Sequence, residues 1–580
     1  MKALKAIHFG HLCGVALAIC LVSTPALGRT TAEPSLDSIA HEYTHVQDRS
    51  EPGIAPDWPD ISPVAQEEKQ RRLQTLLTQL DNLPPTDDVN RQFDRAMLRY
   101  MLESDLAAFP FDQSRMPFSN GQGFFRIPGN VANTTTIRNR ADADNWLARL
   151  ASAPDFYTAH IANMRRGLKD GFTQPGLIVD EMLRPLQAAV DTPVADDALL
   201  KPFASLPPSI APTDQARLRT EAVRLIAEKV RPAQRAAVKF MREEYRPAAR
   251  STLAARDLPG GEEFYPYLIR KFTTTDLTPE QIHAIGESEV ARIRGEMEAI
   301  ARSTGFTGTI AEFNDALRAD PANFAASPED YMEKASEVSK RADRAIPRWF
   351  GKLPRLTWGP LFKTPAQEGT ANIYLRGSLE KGVPGSIMMS HRDATKSPLY
   401  QLPAWVIHEG VPGHHFQISR TQENEDLPEF RREARVTALI EGWALYAEGL
   451  AEEMGLYHTE KERFGRLSFE MYRACRLVMD TGIHWMRWSR ERARECLAQN
   501  TALSPAMVEF ETNRYISQPG QALAYKIGEL RIREIRTRAE RALGPKFDIR
   551  AFHDALIDGG PMPLAMLDRY MDDWIAAQAK

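Results

Sequence analysis

Four side chains able to bind a metal ion or move a proton, His408, Glu409, His414 and His415, fall within eight residues in Trp405-Val406-Ile407-His408-Glu409-Gly410-Val411-Pro412-Gly413-His414-His415-Phe416-Gln417. A second apolar stretch, Ala438-Leu439-Ile440-Glu441-Gly442-Trp443-Ala444-Leu445-Tyr446-Ala447-Glu448, follows closely. A hydrolytic zinc keeps three protein ligands and one open position for water. His408, a second histidine and Glu441 supply such a set for one zinc ion. Glu409, beside His408, then falls where a general base takes a proton from the activated water. A lone histidine on an apolar helix is ordinarily a core residue. His-Glu and His-His so close together, backed by Glu441, point instead to a metal site.

The spacing decides which histidine joins His408. The familiar His-Glu-x-x-His helix sets its histidines at i and i+4, but position 412 is proline. In a regular helix His414 points about 240° away from His408, and His415 shares its face roughly 10 Å further along. Neither reaches the same ion unless the helix is distorted. Pro412-Gly413 is the place for that, since proline removes a backbone donor and glycine tolerates unusual dihedrals. Bulging out two residues selects His414 and bulging out three selects His415. The smaller distortion favours His414.

The elements that must hold these groups read as helices. Apolar residues recur at helical spacing through 63–107, 142–169, 177–190 and 213–250. Thr278-Pro279-Glu280-Gln281 is a helix start expected to run to about 303, and another helix is expected over 328–345. Residues 108–140 read as a long loop. Only 371–375 and 386–390 change period, and they are expected as two strands of a small sheet just upstream of the histidines. An extended edge there could pair with an extended peptide or simply support the helix. The expected organisation is a leader over 1–28, an irregular segment over 29–60, an N-terminal helical region over 61–350 and a zinc-binding catalytic region over 351–580.

Composition narrows the class. The chain has 580 residues, 43% hydrophobic and 26% charged, with net charge −4, a balance that offers nothing to nucleic acid or an anionic membrane surface. Lys2 and Lys5, the apolar run 12–22 and Ala26-Leu27-Gly28 form a cleavable secretory leader. No later stretch approaches the ~20 apolar residues that cross a bilayer. A periplasmic or secreted protein is therefore expected. Ile19 before Cys20 argues against a lipoprotein anchor. Beyond the leader only Cys475 and Cys496 remain, which excludes a cysteine-rich zinc site. Both lie in helical segments and are expected as buried thiols.

His-Glu-x-x-Pro-Gly-His-His-x-Gln followed by Glu-Gly-Trp-Ala-Leu-Tyr-Ala-Glu resembles the bacterial domain-of-unknown-function 885 family. The resemblance extends over Asp276–His283, Arg476–His484, Arg514–Tyr525, Phe547–His553 and Gly559–Leu564. Such proteins look like distant relatives of gluzincin-type helical zinc peptidases, among them carboxypeptidase Taq, thimet oligopeptidase and peptidyl-dipeptidase A. The resemblance implies a mainly α, large metallopeptidase-like fold with a deep channel, a small β-sheet beside the active-site helix, and peptide hydrolysis. It carries across His408, His414 and Glu441 as ligands and Glu409 as base. The spacing here is two residues longer than in those peptidases.

A tetrahedral oxyanion needs a further donor. Tyr525, Tyr515 and His484 are candidates, and the related peptidases favour Tyr525 through a downstream tyrosine. His484, Arg514 and Tyr515 are expected at the substrate. Arg476 or Arg514 could fork onto a substrate carboxylate. Glu448 is either a partner of a ligand or a solvated charge. The function expected is a zinc metallopeptidase, an oligopeptidase or carboxypeptidase. The alternatives are a zinc hydrolase of a non-peptide bond and a non-catalytic peptide-binding protein.

Overall fold

The computed structural model describes residues 34–46, 54–364, 368 and 372–580; the leader, with Cys20, lies outside them. The described chain is mainly helical with two small sheets. The helix Pro279–Ser303 starts as its sequence dictates: Thr278 accepts from the Gln281 N–H, and the Gln281 side chain accepts from the Thr278 N–H. It lies along the helix Glu460–His484, which is buried almost continuously from Phe464 to its end. It runs through the core yet buries Glu470, Arg473, Arg476 and Asp480 along with its apolar residues, and buried charges of this kind need partners.

The sheet beside the histidines has three strands, Trp358–Phe362, Gly385–Met389 and Ile373–Leu375, with Gly385–Met389 in the middle. Trp358 to Phe362 pair in parallel with Gly385 to Met389, and Tyr374 opposes Ile387 in the antiparallel pair. The strand Trp358–Phe362 adds to the two read from sequence. It contains Gly359 and Pro360, which suggest a turn, but proline is tolerated on an edge strand, where it lies here.

Three further expectations are corrected. Residues 29–60 are not irregular throughout: a helix spans Leu36–Val46 and buries Ile39, Ala40, Tyr43 and Val46 against the core. The stretch 108–140 is not one loop but holds a two-stranded hairpin and the helix Ile127–Thr134. Cys475 and Cys496 are not free thiols; they form a disulfide that ties Glu460–His484 to the following helix, Arg490–Asn500. Helical spacing alone does not show that two cysteines on successive antiparallel helices face each other.

Two close helix contacts frame the site. The helix Thr437–Glu453 crosses Ala524–Leu543 at Gly442 and Gly528. A Cβ on Gly528 would stand 1.8 Å from the Ala438 carbonyl oxygen, so only glycine permits this approach. One residue N-terminal to Gly442 is Glu441. Behind Tyr525, fully buried Lys526 bonds Glu289, Glu470 and Glu529 at 2.8–2.9 Å, pinning three helices together.

Candidate metal centre

The helix carrying His408, Leu402–Glu409, stops at Gly410, and the next, His414–Glu423, starts at His414 itself. The Val411–Pro412 bond between them is cis. Two backbone hydrogen bonds bridge the break, Gly413 N–H to Ile407 O (3.1 Å) and Phe416 N–H to Gly410 O (3.4 Å). Each spans six residues where a helix spans four. Two residues are therefore extruded, and His414 stands where the i+4 residue of an unbroken helix would stand. Gly413 is required there, because a Cβ would lie 2.1 Å from the His408 carbonyl oxygen. The break is also held from outside: Trp443 Nε1–H donates to Pro412 O at 2.8 Å.

His408, His414 and Glu441 converge. One ligand atom from each lies within 4.8 Å of the others. Glu441 Oε2 is 3.3 Å from His414 Nε2 and 3.8 Å from His408 Nε2. Ligands about 2.0–2.2 Å from a tetrahedral zinc stand roughly 3.3–3.6 Å apart; the two Glu441 distances are close to that, and all three ligand atoms lie within 4.8 Å of one another. Glu441 Oε2 is buried without a hydrogen-bond donor, and a buried carboxylate oxygen in that state calls for a cation. Two imidazole nitrogens and one carboxylate oxygen form a donor set that suits zinc. Burial alone would lower the His408 pKa, but the neighbouring carboxylates of Glu441 and Glu448 outweigh it and hold it at about 9. Burial opposes ionisation of Glu441, yet the proximity of the His414 and His408 imidazoles takes it well below the carboxylate range.

Glu448 is no solvated charge. Its side chain is 1% exposed, and its Oε1 takes a 2.7 Å hydrogen bond from His408 Nδ1. That bond fixes the tautomer that turns Nε2 toward Glu441. Arg473 Nη2, 3.3 Å away, balances the buried Glu448 charge.

Glu409 turns toward the sheet, where its Oε2 accepts the Tyr374 N–H at 2.8 Å. His415 faces away from the cluster and is fully buried. Its Nε2–H donates to Leu356 O (3.2 Å), its Nδ1 receives the Tyr374 hydroxyl (3.0 Å), and burial drops its pKa to about 4. It joins helix to sheet.

The remaining candidates divide. Tyr525 keeps some surface and lies within the electrostatic reach of Glu441: burial first, then that charge, push its phenol up. His484 is corrected as a substrate contact. It is fully buried, with Nδ1 receiving the Ala255 N–H (3.1 Å) and Nε2–H donating to Tyr515 O (2.8 Å), and burial takes its pKa to about 3. Tyr515 is buried, and its hydroxyl accepts from Arg476 Nε at 2.8 Å. Arg514 is engaged by Glu511 (2.9 Å) and Gln521 (3.1 Å). Neither reads as a free substrate contact. Asp480, which the motif contains but no role covered, accepts from Tyr265 and the Gly520 N–H and so anchors the loop before Tyr525.

A literal His-Glu-x-x-His also occurs, at His41 to His45 on the first helix. The two Nε2 atoms lie 2.9 Å apart near the surface, and Glu42 is paired with Arg72. No third ligand of metal-binding type joins them among the described residues. Spacing alone would have found this pair. Among the described residues, what separates it from the 408–441 cluster is the converging third ligand.

Fold and site together define a mainly helical protein with a buried cluster of two histidines and one glutamate of metal-ligating type. The chain belongs to the bacterial family of proteins of unknown function DUF885, whose pattern it matches over residues 48–571. Among solved structures it is similar to a "putative lipoprotein" from Colwellia psychrerythraea, at 25% identity and TM-score 0.87 over 94% of this chain and 100% of that one. It is also similar to a like-described protein of unknown function from Shewanella oneidensis, at 18% identity and TM-score 0.71 over 93% of this chain and 100% of that one. No curated protein matches the chain.

Proposed function

We propose that the protein is a zinc-dependent hydrolase that cleaves peptides. The observation that carries this reading is the convergence of two imidazole nitrogens on a buried Glu441 oxygen, with Glu409, the candidate base, directly after His408. His408, His414 and Glu441 would hold one zinc ion. When bound, zinc lowers the pKa of a water and polarises a carbonyl. The Tyr374 N–H fixes Glu409 Oε2, which leaves Oε1 to take the proton of the attacking water and later pass it to the leaving amine. The Tyr525 hydroxyl is the donor for the developing oxyanion.

Two features support a peptide as substrate. The strand that holds Glu409 is a sheet edge, with Ile373 and Leu375 exposed, and an extended chain can lie beside such an edge. The motifs resemble those of helical gluzincin-type peptidases, and the break at 410–413 absorbs the two extra residues of spacing. A deep channel is part of the same expectation. The leader pattern and the disulfide support a location outside the cytoplasm. The two similar structures are described as lipoproteins, so Cys20 stands as a candidate for acylation, and the argument from Ile19 is not carried forward.

The test is metal analysis followed by digestion of a peptide library with wild type and Glu409→Gln. The reading expects about one zinc per chain, lost in His414→Ala and kept in His415→Ala, and cleavage abolished in Glu409→Gln. Zinc without cleavage of any peptide would favour a binding protein or a hydrolase of another bond. Cleavage unchanged in Glu409→Gln would remove the assigned base.

A further inference from the structure

The helix Leu36–Val46 turns one face inward, burying Ile39, Ala40, Tyr43 and Val46. At about 100° per residue, His41 and His45 fall on the side opposite that stripe. His41 is exposed and His45 half-buried. Their rings stand edge to face, with centroids 4.4 Å apart and planes at 88°, and the two Nε2 atoms are 2.9 Å apart. Glu42 is turned to Arg72 and Asp37 to Arg91, so both carboxylates of this helix are engaged elsewhere. His45 lies in the last turn, at the negative end of the helix dipole, where a cation is favoured.

The separation of two donor atoms fixes the angle they subtend at a common ion. With metal–nitrogen bonds of about 2.0 Å, two ligands at the tetrahedral angle stand roughly 3.3 Å apart, and two at a right angle roughly 2.8 Å. The 2.9 Å between His41 Nε2 and His45 Nε2 fits the right angle. Adjacent corners of a square are what Cu(II) and Ni(II) offer to nitrogen ligands, and Cu(II) binds such donors more tightly. Water fills the other corners, so the pair needs no third residue. The same separation suits an N–H···N hydrogen bond between the rings, a rival arrangement that takes up no metal. Copper is cupric in an oxidising compartment, the setting in which a disulfide such as Cys475–Cys496 persists.

We infer that His41 and His45 form a surface metal site that binds Cu(II), and Ni(II) more weakly, through their two Nε2 atoms. The His408, His414 and Glu441 cluster is of another kind: it is buried and includes a carboxylate, whereas this pair lies on the solvent side of its helix and offers nitrogen alone. The pair takes its ion whether or not the buried cluster hydrolyses anything.

The probe is the Cu(II) complex of nitrilotriacetate. Its chelator leaves two adjacent corners of the ion open, and the complex is too bulky for the buried His408 and His414. The full chain is titrated with it, and bound copper is followed by electron paramagnetic resonance and counted after gel filtration. About one complex per chain is expected, with imidazole nitrogen coupling in the spectrum. His41→Ala and His45→Ala should each abolish that uptake, and His414→Ala should leave it unchanged. The Ni(II) complex should bind through the same pair with lower affinity. No uptake by wild type, uptake that survives in either folded variant of the pair, or uptake lost in His414→Ala overturns the inference. Nickel bound as tightly as copper overturns the choice of metal. Circular dichroism melting checks the fold of each variant, and should one of the pair not fold, the other decides.

Discussion

Replacing Glu448 by glutamine tests the support behind the proposed metal ligands. The carboxylate is buried, takes a 2.7 Å hydrogen bond from His408 Nδ1 and faces Arg473 Nη2 at 3.3 Å. Glutamine keeps the shape and an acceptor oxygen but removes the charge. A hydrogen bond to a charged group contributes about 1.5–3 kcal/mol net, against about 1 kcal/mol for a neutral one. The loss to His408 is therefore roughly 1–2 kcal/mol, or about 5- to 30-fold in zinc affinity, close to the 10–100-fold typical of such partners. Glu448→Ala goes further. It leaves buried Arg473 without a counter-charge, a change that costs about 3–5 kcal/mol of folding stability. Competition with a fluorescent zinc chelator gives the first number, and urea unfolding gives the second. Zinc affinity unchanged in Glu448→Gln would refute the assignment of Glu448 as the group that orients His408, whatever the stability data show.

Three further outcomes follow from the packing. Gly413→Ala forces its Cβ onto the His408 and Ile407 carbonyl oxygens, so it should lower stability by about 1–3 kcal/mol and weaken zinc binding; a variant with native melting temperature and zinc content would contradict the account of the break. Removing the disulfide as Cys475→Ser/Cys496→Ser opens a loop of sequence separation 21 and should cost about 3 kcal/mol in urea unfolding, whereas two titratable thiols in the native, unreduced protein would show that the bridge is absent. Buried His553, bonded to Trp349 O and the Tyr446 hydroxyl, is held at about 3 by burial. The unfolded chain takes up that proton near pH 6.5 and the folded one does not, so the contribution is complete above pH 6.5 and is lost as pH falls, by roughly 2 kcal/mol at pH 5. His553→Asn should make the dependence of the urea midpoint between pH 7 and 5 shallower, and an identical slope would count against it.

The convergence of His408, His414 and Glu441 was legible where chemistry and helix geometry were enough. Counting 100° per residue showed that His414 needs two residues extruded, and the hydrogen bonds of Gly413 and Phe416 span six residues as that requires. The capped helix at Thr278 and the helix Pro328–Ala345 followed from caps and apolar spacing. Pairings between distant segments were not legible. No local pattern tells that Cys475 faces Cys496, that Trp358–Phe362 joins the sheet despite Gly359 and Pro360, or that Glu448 reaches His408. His484 misled for the same reason: its type suggested chemistry, and only its two backbone partners show that it is a core residue.

The central claim is that His408, His414 and Glu441 hold one zinc ion. A crystal grown with zinc and measured on both sides of the zinc absorption edge tests it directly. The account predicts one strong anomalous peak bounded by His408 Nε2, His414 Nε2 and Glu441 Oε2, at about 2.0–2.2 Å from each. No peak there, or zinc only at His41 and His45, would contradict it.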